Sequence, residues 1–398
     1  MKGEPVKRKK LAIAALAASL AVGTLAAQPA KAASTSLVIG SVLDIDKLDP
    51  HTATNFATVR ALGLVYSSLV EVGPGNKLKT GLASSWQFTN DGKTLRLTLR
   101  EGVKFHDGSA FDAVDAKASL ERILDTKTGA AARSNIATIT SISAAGRYLT
   151  LNMSVSNIPI LAALDGVNMA MLSSTDIAAG KVGGTNKPNG TGAFKYESWE
   201  PTQSVKLSAN PTYWMGEPKI SDITIRVIPT EASILSAMNA GTIQFGIISD
   251  PLIAKQVNSR NLKLFKTPAL GYYALQFNTK VAPFNDKNVR LAVQCALDRQ
   301  EVVNTAMLGQ GAISGPITSP AFRSSTTARP CPKADLAKAK SYLAASGKSD
   351  VTFKALVTST GWATSVAMAQ NIKAQLAKAG ITMELDITDQ ATYVPRWL

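Results

Sequence analysis

Residues 85–117 read SWQFTNDGKTLRLTLREGVKFHDGSAFDAVDAK. The stretch opens with two β-rich runs joined by Asn90-Asp91-Gly92. An Asx-Gly pair between such runs is the strongest short-range hairpin signal, because these residues tolerate the left-handed backbone of a tight turn. The period then changes. From Ala113 to Leu124 the apolar positions recur at helical spacing, and Asp112 stands where an N-cap is needed.

The same stretch gathers His106, Asp107, Asp112 and Asp115, which raises the question of a metal or acid–base site. A metal site would need His106 with Asp107 and an acid farther on, but no second histidine stands nearby. Asp107-Gly108 is an ordinary turn pair and Asp112 an ordinary cap. Asp115 falls in the first turn of the helix, where its charge suits the macrodipole. The reading is structural.

Upstream, SLVIGSVLDIDKLDP reads as a strand and a turn closed by Asp49-Pro50, and Asn55 to Val70 has apolar positions at helical spacing. Downstream, the Gly-rich connector GGTNKPNGTGAF leads to the strands FKYESW, SVKLSA and ITIRVIP. A helix follows, with Thr230 as cap, and then a strand after Gly241. KLFKTPALGYYALQFN reads as strand-rich, and NVRLAVQCALDRQEVVNTAML as a single amphipathic helix. Residues 311–332 are Pro/Ser-rich and irregular, and DLAKAKSYLAASG is a helix ended by Gly347. TFKALVT, SVAMAQNIKAQLAKAG and ITMELDIT form a βαβ-like unit, with Gly380 closing its helix. The class is α/β with an inserted hairpin-rich region.

At 398 residues, with 45% hydrophobic and 18% charged content, the chain has room for two or three domains and a sizeable core. Its start is an export signal: a basic cluster at Lys7–Lys10, an apolar run from Leu11 to Leu25, and an Ala30-Lys31-Ala32 cleavage pattern, giving a signal peptide over 1–32. No cysteine lies near that site, so a free, not lipid-anchored, periplasmic product is expected. The signal carries six Lys/Arg and one Glu, leaving +10 of the formal +15 for the mature part. Those charges are scattered and form no nucleic-acid arm. Cys295 sits in an apolar helical pattern and Cys331 in RPCP, so a buried thiol and a disulfide both stand open.

Catalytic constellations are missing from the sequence. HExxH, GxSxG, GxGxxG and GxxxxGK[ST] do not occur, and His51 and His106 are the only histidines. The Gly190-Thr191-Gly192 cluster precedes a strand, without the helix N-terminus that would hold a phosphate. The remaining features are aromatics: Tyr272-Tyr273, followed by Asn278, and Trp362 in the loop TSTGWATS. In strands such residues are usually core; with loop hydroxyls they can also line a ligand cleft.

Taken together, LDPH (48–51), LVYSSLVE (64–71), the block 81–124, NGTGAFKYESW (189–199), ANPTYWMGEPKISDITIRVIPT (209–230), GYYALQFNTKVAPFNDKNVRLAVQCALDR (271–299) and DLAKAKSYLAASG (335–347) resemble the extracellular solute-binding proteins of the peptide/nickel type, solute-binding protein family 5. The resemblance implies a type II periplasmic-binding-protein fold, two lobes with a hinge and an inserted subdomain in lobe I. Lobe I would hold 33–74 and 190–268, the insert 75–189 and lobe II 269–398, with LFKTPALGYYALQFN crossing between the lobes. It also implies capture of a short peptide by hinge closure and delivery to the permease of an ABC importer, by a monomer without cofactor, metal or catalysis. Another ligand in the same role (nickel chelate, glutathione, haem, opine or oligosaccharide) stays open, and a secreted hydrolase using His51 or His106 is the reading from a different class. Family contacts map onto Thr54 and Asn55, onto Tyr272, Tyr273 and Asn278, and onto Ser359 and Trp362. The chain departs from the family pattern after ITDQATYVPRWL, where members continue, so an incomplete lobe II from a truncated or frameshifted copy is expected. Gln244 is a smaller departure, at a surface or turn position where members commonly carry an acid.

Overall fold

The computed structural model describes residues 35–257, 262–266, 271–313, 330–348, 350–360 and 364–397. Along the chain the elements are β1 (Ser36–Ser41), α1 (Phe56–Leu62), β2 (Val70–Gly73), β3 (Lys77–Thr80), β4 (Ala83–Thr89), β5 (Thr94–Leu99) and α2 (Ala113–Leu124). Next come β6 (Ile139–Ala145), β7 (Tyr148–Met153), α3 (Ile160–Ala163), α4 (Ser174–Ala178), β8 (Phe194–Glu200), β9 (Ser204–Ala209) and β10 (Asp222–Val227). The remainder is α5 (Glu231–Asn239), β11 (Phe245–Gly246), α6 (Pro251–Lys255), α7 (Lys287–Ala296), α8 (Arg299–Ala306), α9 (Leu336–Ala345), β12 (Val351–Thr358), α10 (Ser365–Ala377), β13 (Ile381–Thr388) and α11 (Gln390–Trp397).

The quoted stretch folds as the hairpin β4–β5, with Asn90, Asp91 and Gly92 all at positive φ (53°, 50° and 80°). It joins a four-stranded antiparallel sheet in the order β4-β5-β7-β6. Period-2 alternation buries Leu95, Leu97 and Leu99, while α2 lays Ala116, Leu120 and Ile123 against the same core. Each fully buried leucine contributes about 2 kcal/mol relative to an exposed one.

A second core lies on a five-stranded sheet, β11-β1-β10-β9-β8, in which β1 runs parallel to both of its neighbours. Leu48, Leu62, Val65, Phe194, Leu207 and Ile223 fill it. Gly190 and Gly192 press so closely on Val65 that an added Cβ would meet its carbonyl oxygen at 2.0 and 2.6 Å. The third core belongs to the βαβ unit: β12 and β13 pair in parallel through all eight residues, and α7 and α9 pack with α10 around Val293, Phe353, Leu376 and Ile381. Cys295 and Cys331 form a disulfide in this core, which decides between the two readings left open.

Three sequence expectations need correction. The helix expected over Asn55–Val70 stops at Leu62, because the carbonyls of Leu64, Val65, Ser67, Ser68 and Leu69 accept N–H groups from Phe194, Gly192, Met171, Leu82 and Ala83 instead of from the next turn. The single helix expected over NVRLAVQCALDRQEVVNTAML is two, α7 and α8. Asp298 breaks it by capping Gln300 and Glu301, and Gln375 holds the backbone N–H and C=O of Asp298. Of the strand-rich run 263–278, residues 263–266 and 271–278 form no strand and 267–270 lie outside the described residues: the alternation of Leu275 and Phe277 toward the third core is real, but no described strand lies alongside to complete a ladder.

Candidate functional site

In sheets with parallel strands, ligand groups collect beyond the carboxyl ends of those strands. Beyond β1 lies the loop Leu43–Asn55, tied down by its own acids. Asp44 accepts from Trp199 Nε1 at 3.1 Å and from the Thr202 N–H at 2.7 Å, and Asp46 accepts from Thr58 Oγ1 at 2.6 Å. Asp49 takes a bidentate pair from Arg122, at 2.6 and 3.2 Å. His51 is fully buried, with its Nε2–H donating to the Ala170 carbonyl at 2.9 Å and its Nδ1 accepting from Arg122 Nη1 at 2.8 Å. Burial, and then the adjacent guanidinium, lower its pKa to about 4. Held this way, the loop presents Thr54 and Phe56 to solvent. Asn55 caps α1 through Oδ1 to the Ala57 N–H, while its Nδ2 donates to the Asp44 carbonyl.

Tyr272 and Tyr273 are 42% and 46% exposed, which sets aside the ordinary core role for these aromatics. Thr364 Oγ1 reaches the Tyr273 hydroxyl at 3.3 Å, so this tyrosine stands at the segment that follows β12. Ser359, at the carboxyl end of β12, is held by its N–H and hydroxyl to the Thr388 carbonyl at 2.7 and 3.0 Å. Asn278 closes a turn, its Oδ1 accepting from the Lys280 N–H at 3.1 Å. Trp362 lies outside the described residues. Tyr273 thus meets Thr364 at the start of α10, whereas Thr54 and Asn55 adjoin Ala53 and Ala57 of a different core. Trp397, 52% exposed, donates to Gln276 Oε1 at 2.7 Å beside the tyrosines and is an exposed aromatic the sequence reading missed.

The FHDGS segment is architecture. His106 donates from Nε2 to the Gly192 carbonyl at 3.0 Å and accepts at Nδ1 from the Gly190 N–H at 3.4 Å, clamping the Gly-rich connector. Burial is the main cause holding it neutral, with a pKa of about 4. Asp107 accepts from Ser109 and Asn189. Asp112 and Asp115 form a reciprocal capping box, and Asp115 also takes both the N–H and the hydroxyl of Ser174. Gln244 likewise serves the backbone, accepting from the Val38 N–H.

A cavity of about 240 Å³ opens between Tyr66–Val72 and Asp165–Ala170. Partial burial and the Asp165 charge raise the pKa of Glu71, and partial burial raises that of Asp165. No group of three His, Cys, Asp or Glu side chains among the described residues is placed to hold a metal ion. Nor is any described helix long and apolar enough to cross a membrane.

Comparison with known proteins places these features in a family. The model of "Bacterial extracellular solute-binding proteins, family 5 Middle" matches residues 77–398. The chain is 28% identical over 380 residues to the glutathione-binding protein GsiB of Salmonella paratyphi A, covering 94% of this chain and 73% of GsiB. The ABC transporter-associated periplasmic binding protein DppA from Helicobacter pylori, in complex with the peptide STSA, superposes with a TM-score of 0.81 at 25% identity, covering 91% of this chain and 75% of DppA. MoaA from A. tumefaciens R10, in complex with mannopinic acid, gives 0.78 at 25%, with coverage of 91% and 75%. The fold is that of the type II periplasmic binding proteins. The chain belongs to the bacterial extracellular solute-binding proteins of family 5, the solute-capturing components of ABC importers.

Proposed function

We propose that this chain captures a short peptide in the periplasm by hinge closure and hands it to the permease subunits of an importer, acting as a monomer and without chemistry on the ligand. Residues 33–74 and 190–268 form lobe I, 75–189 its inserted subdomain and 269–398 lobe II. The third core, built from residues between Phe284 and Met383, supports the lobe II assignment, while Leu69 and Val70 pack in the hairpin-sheet core and Val167, Ala170 and Leu172 in the core of the five-stranded sheet. The observation that carries the binding reading is the exposed Tyr272-Tyr273 pair, with Tyr273 bonded to Thr364 beyond the carboxyl end of a parallel strand. Two rigid aromatic faces there suit an extended peptide, with Thr54 and Asn55 contributing from lobe I, and Asn278, Ser359 and Trp362 from lobe II. Peptide is favoured because GsiB is named for glutathione and DppA holds STSA.

A second reading, an opine, is favoured by the mannopinic acid bound to MoaA. Native mass spectrometry of the protein purified from a periplasmic extract separates the two. A series of bound masses matching short peptides supports the first reading; a single sugar–amino acid conjugate replaces it with the second.

A further inference from the structure

The loop that carries Thr54 and Asn55 is fastened less by its own sheet than by the segment that carries the hairpin sheet. Arg122, on α2, grips Asp49 with both terminal nitrogens and also donates to His51. The Ala131 N–H donates to the His51 carbonyl at 2.9 Å, and the Ala170 carbonyl accepts from its ring. Asn168 Nδ2 donates to the carbonyls of Pro50 and Ala53, both at 2.8 Å, which clamps the turn that Ala53 closes back onto Pro50. The Arg122 and Asp49 side chains are only 17% and 14% exposed, so the pair is shielded from solvent. Thr54 follows directly on this clamped turn.

We infer that Arg122 and Asn168 are positioning residues for solute capture: from the inserted segment, they hold the 49–54 loop in its ligand-ready shape before any ligand arrives. This rests on the reading of Thr54 as a lobe I contact. Neither residue needs to touch the ligand. Their effect is to spare it the cost of ordering the loop, since apparent affinity falls with the fraction of protein in the competent shape.

The test compares the wild-type chain with Asn168→Ala, Arg122→Lys and Thr54→Trp. Asn168→Ala removes only the turn clamp. Arg122→Lys keeps the charge but loses the bidentate geometry. Amide exchange of the ligand-free proteins is the first readout. Both positioning variants should bring exchange at the His51 and Ala53 amides close to the unprotected rate, as a loop open about nine-tenths of the time requires, while β5 and β7 amides keep their wild-type rates. Calorimetric titration with STSA and with glutathione is the second. The same two variants should bind about tenfold more weakly than wild type, as expected when the competent fraction falls about tenfold. Unchanged local exchange overturns the inference, as does faster exchange throughout the chain or unchanged affinity in the face of a loosened loop. Thr54→Trp reports on the underlying site: if it binds like wild type, Thr54 is not a contact. If wild type binds neither probe, the peptide reading falls, and the exchange comparison alone decides whether the loop is held from the insert.

Discussion

Lowering the pH should destabilise this protein through its two histidines. Both are neutral in the fold with pKa values lowered to about 4, for which burial is the leading cause. In the unfolded chain a histidine titrates near 6.5, so between pH 6.5 and 4 the unfolded state binds protons that the folded state refuses. A depressed folded pKa therefore contributes stability that is present above pH 6.5 and lost as pH falls toward 4. At about 1.4 kcal/mol per pKa unit, the full loss is on the order of 3 kcal/mol for each ring, a large share of a stability of roughly 5–15 kcal/mol. The geometry gives the same sign. His51 Nδ1 accepts from Arg122, so a proton there would meet the guanidinium head-on. His106 Nδ1 accepts from the Gly190 N–H and would lose that bond. Urea unfolding followed by tryptophan fluorescence, at half-unit steps from pH 7 to 4.5, measures the slope. His106→Gln should start less stable at pH 7 but take up about one proton fewer on unfolding near pH 5. Equal slopes for the variant and wild type would refute the buried, neutral assignment.

Other perturbations follow from particular contacts. Asp115→Ala removes the partner of the Asp112 N–H and of both donors of Ser174 in a partly buried site and should cost about 2 kcal/mol, read from the urea midpoint. Replacing Cys295 and Cys331 together opens a 36-residue separation and should cost about 4 kcal/mol by loop entropy, checked as a lower midpoint than the oxidised wild type without reductant. Glu71→Gln should raise the melting temperature above pH 7, because a carboxyl whose folded pKa is raised contributes stability only while protonated and loses it as pH rises. The gain should vanish in acid, where wild-type Glu71 is itself protonated.

Local chemistry made much of the architecture legible. Asn90-Asp91-Gly92 requires left-handed backbone and received it; Asp112 capped α2; the 3.6-residue spacing around α10 and its closing Gly380 announced the βαβ unit. Reading failed where distant chain competes for backbone groups. Nothing within Asn55–Val70 foretells that the carbonyls of Leu64 and Val65 will be claimed by residues more than a hundred positions away. Asp298 in the 288–308 run carried an N-cap signal, since an acid inside an apolar helical pattern can begin a new helix as easily as decorate the old one. For the site, spacing could mark Tyr272 and Tyr273 as notable but not as exposed, because exposure depends on which strands come alongside. The Arg122–Asp49–His51 cluster had a signal in LDPH, yet its partner arginine is 71 residues from the histidine and only folding joins them.

Solute capture by closure is tested most directly by small-angle X-ray scattering during a titration with STSA and with glutathione, run beside calorimetry on the same samples. At least one of them should bind saturably, with a fall in the radius of gyration that tracks occupancy. Saturation without any change in the radius would contradict hinge closure, and a flat calorimetric trace for both compounds would contradict the peptide assignment.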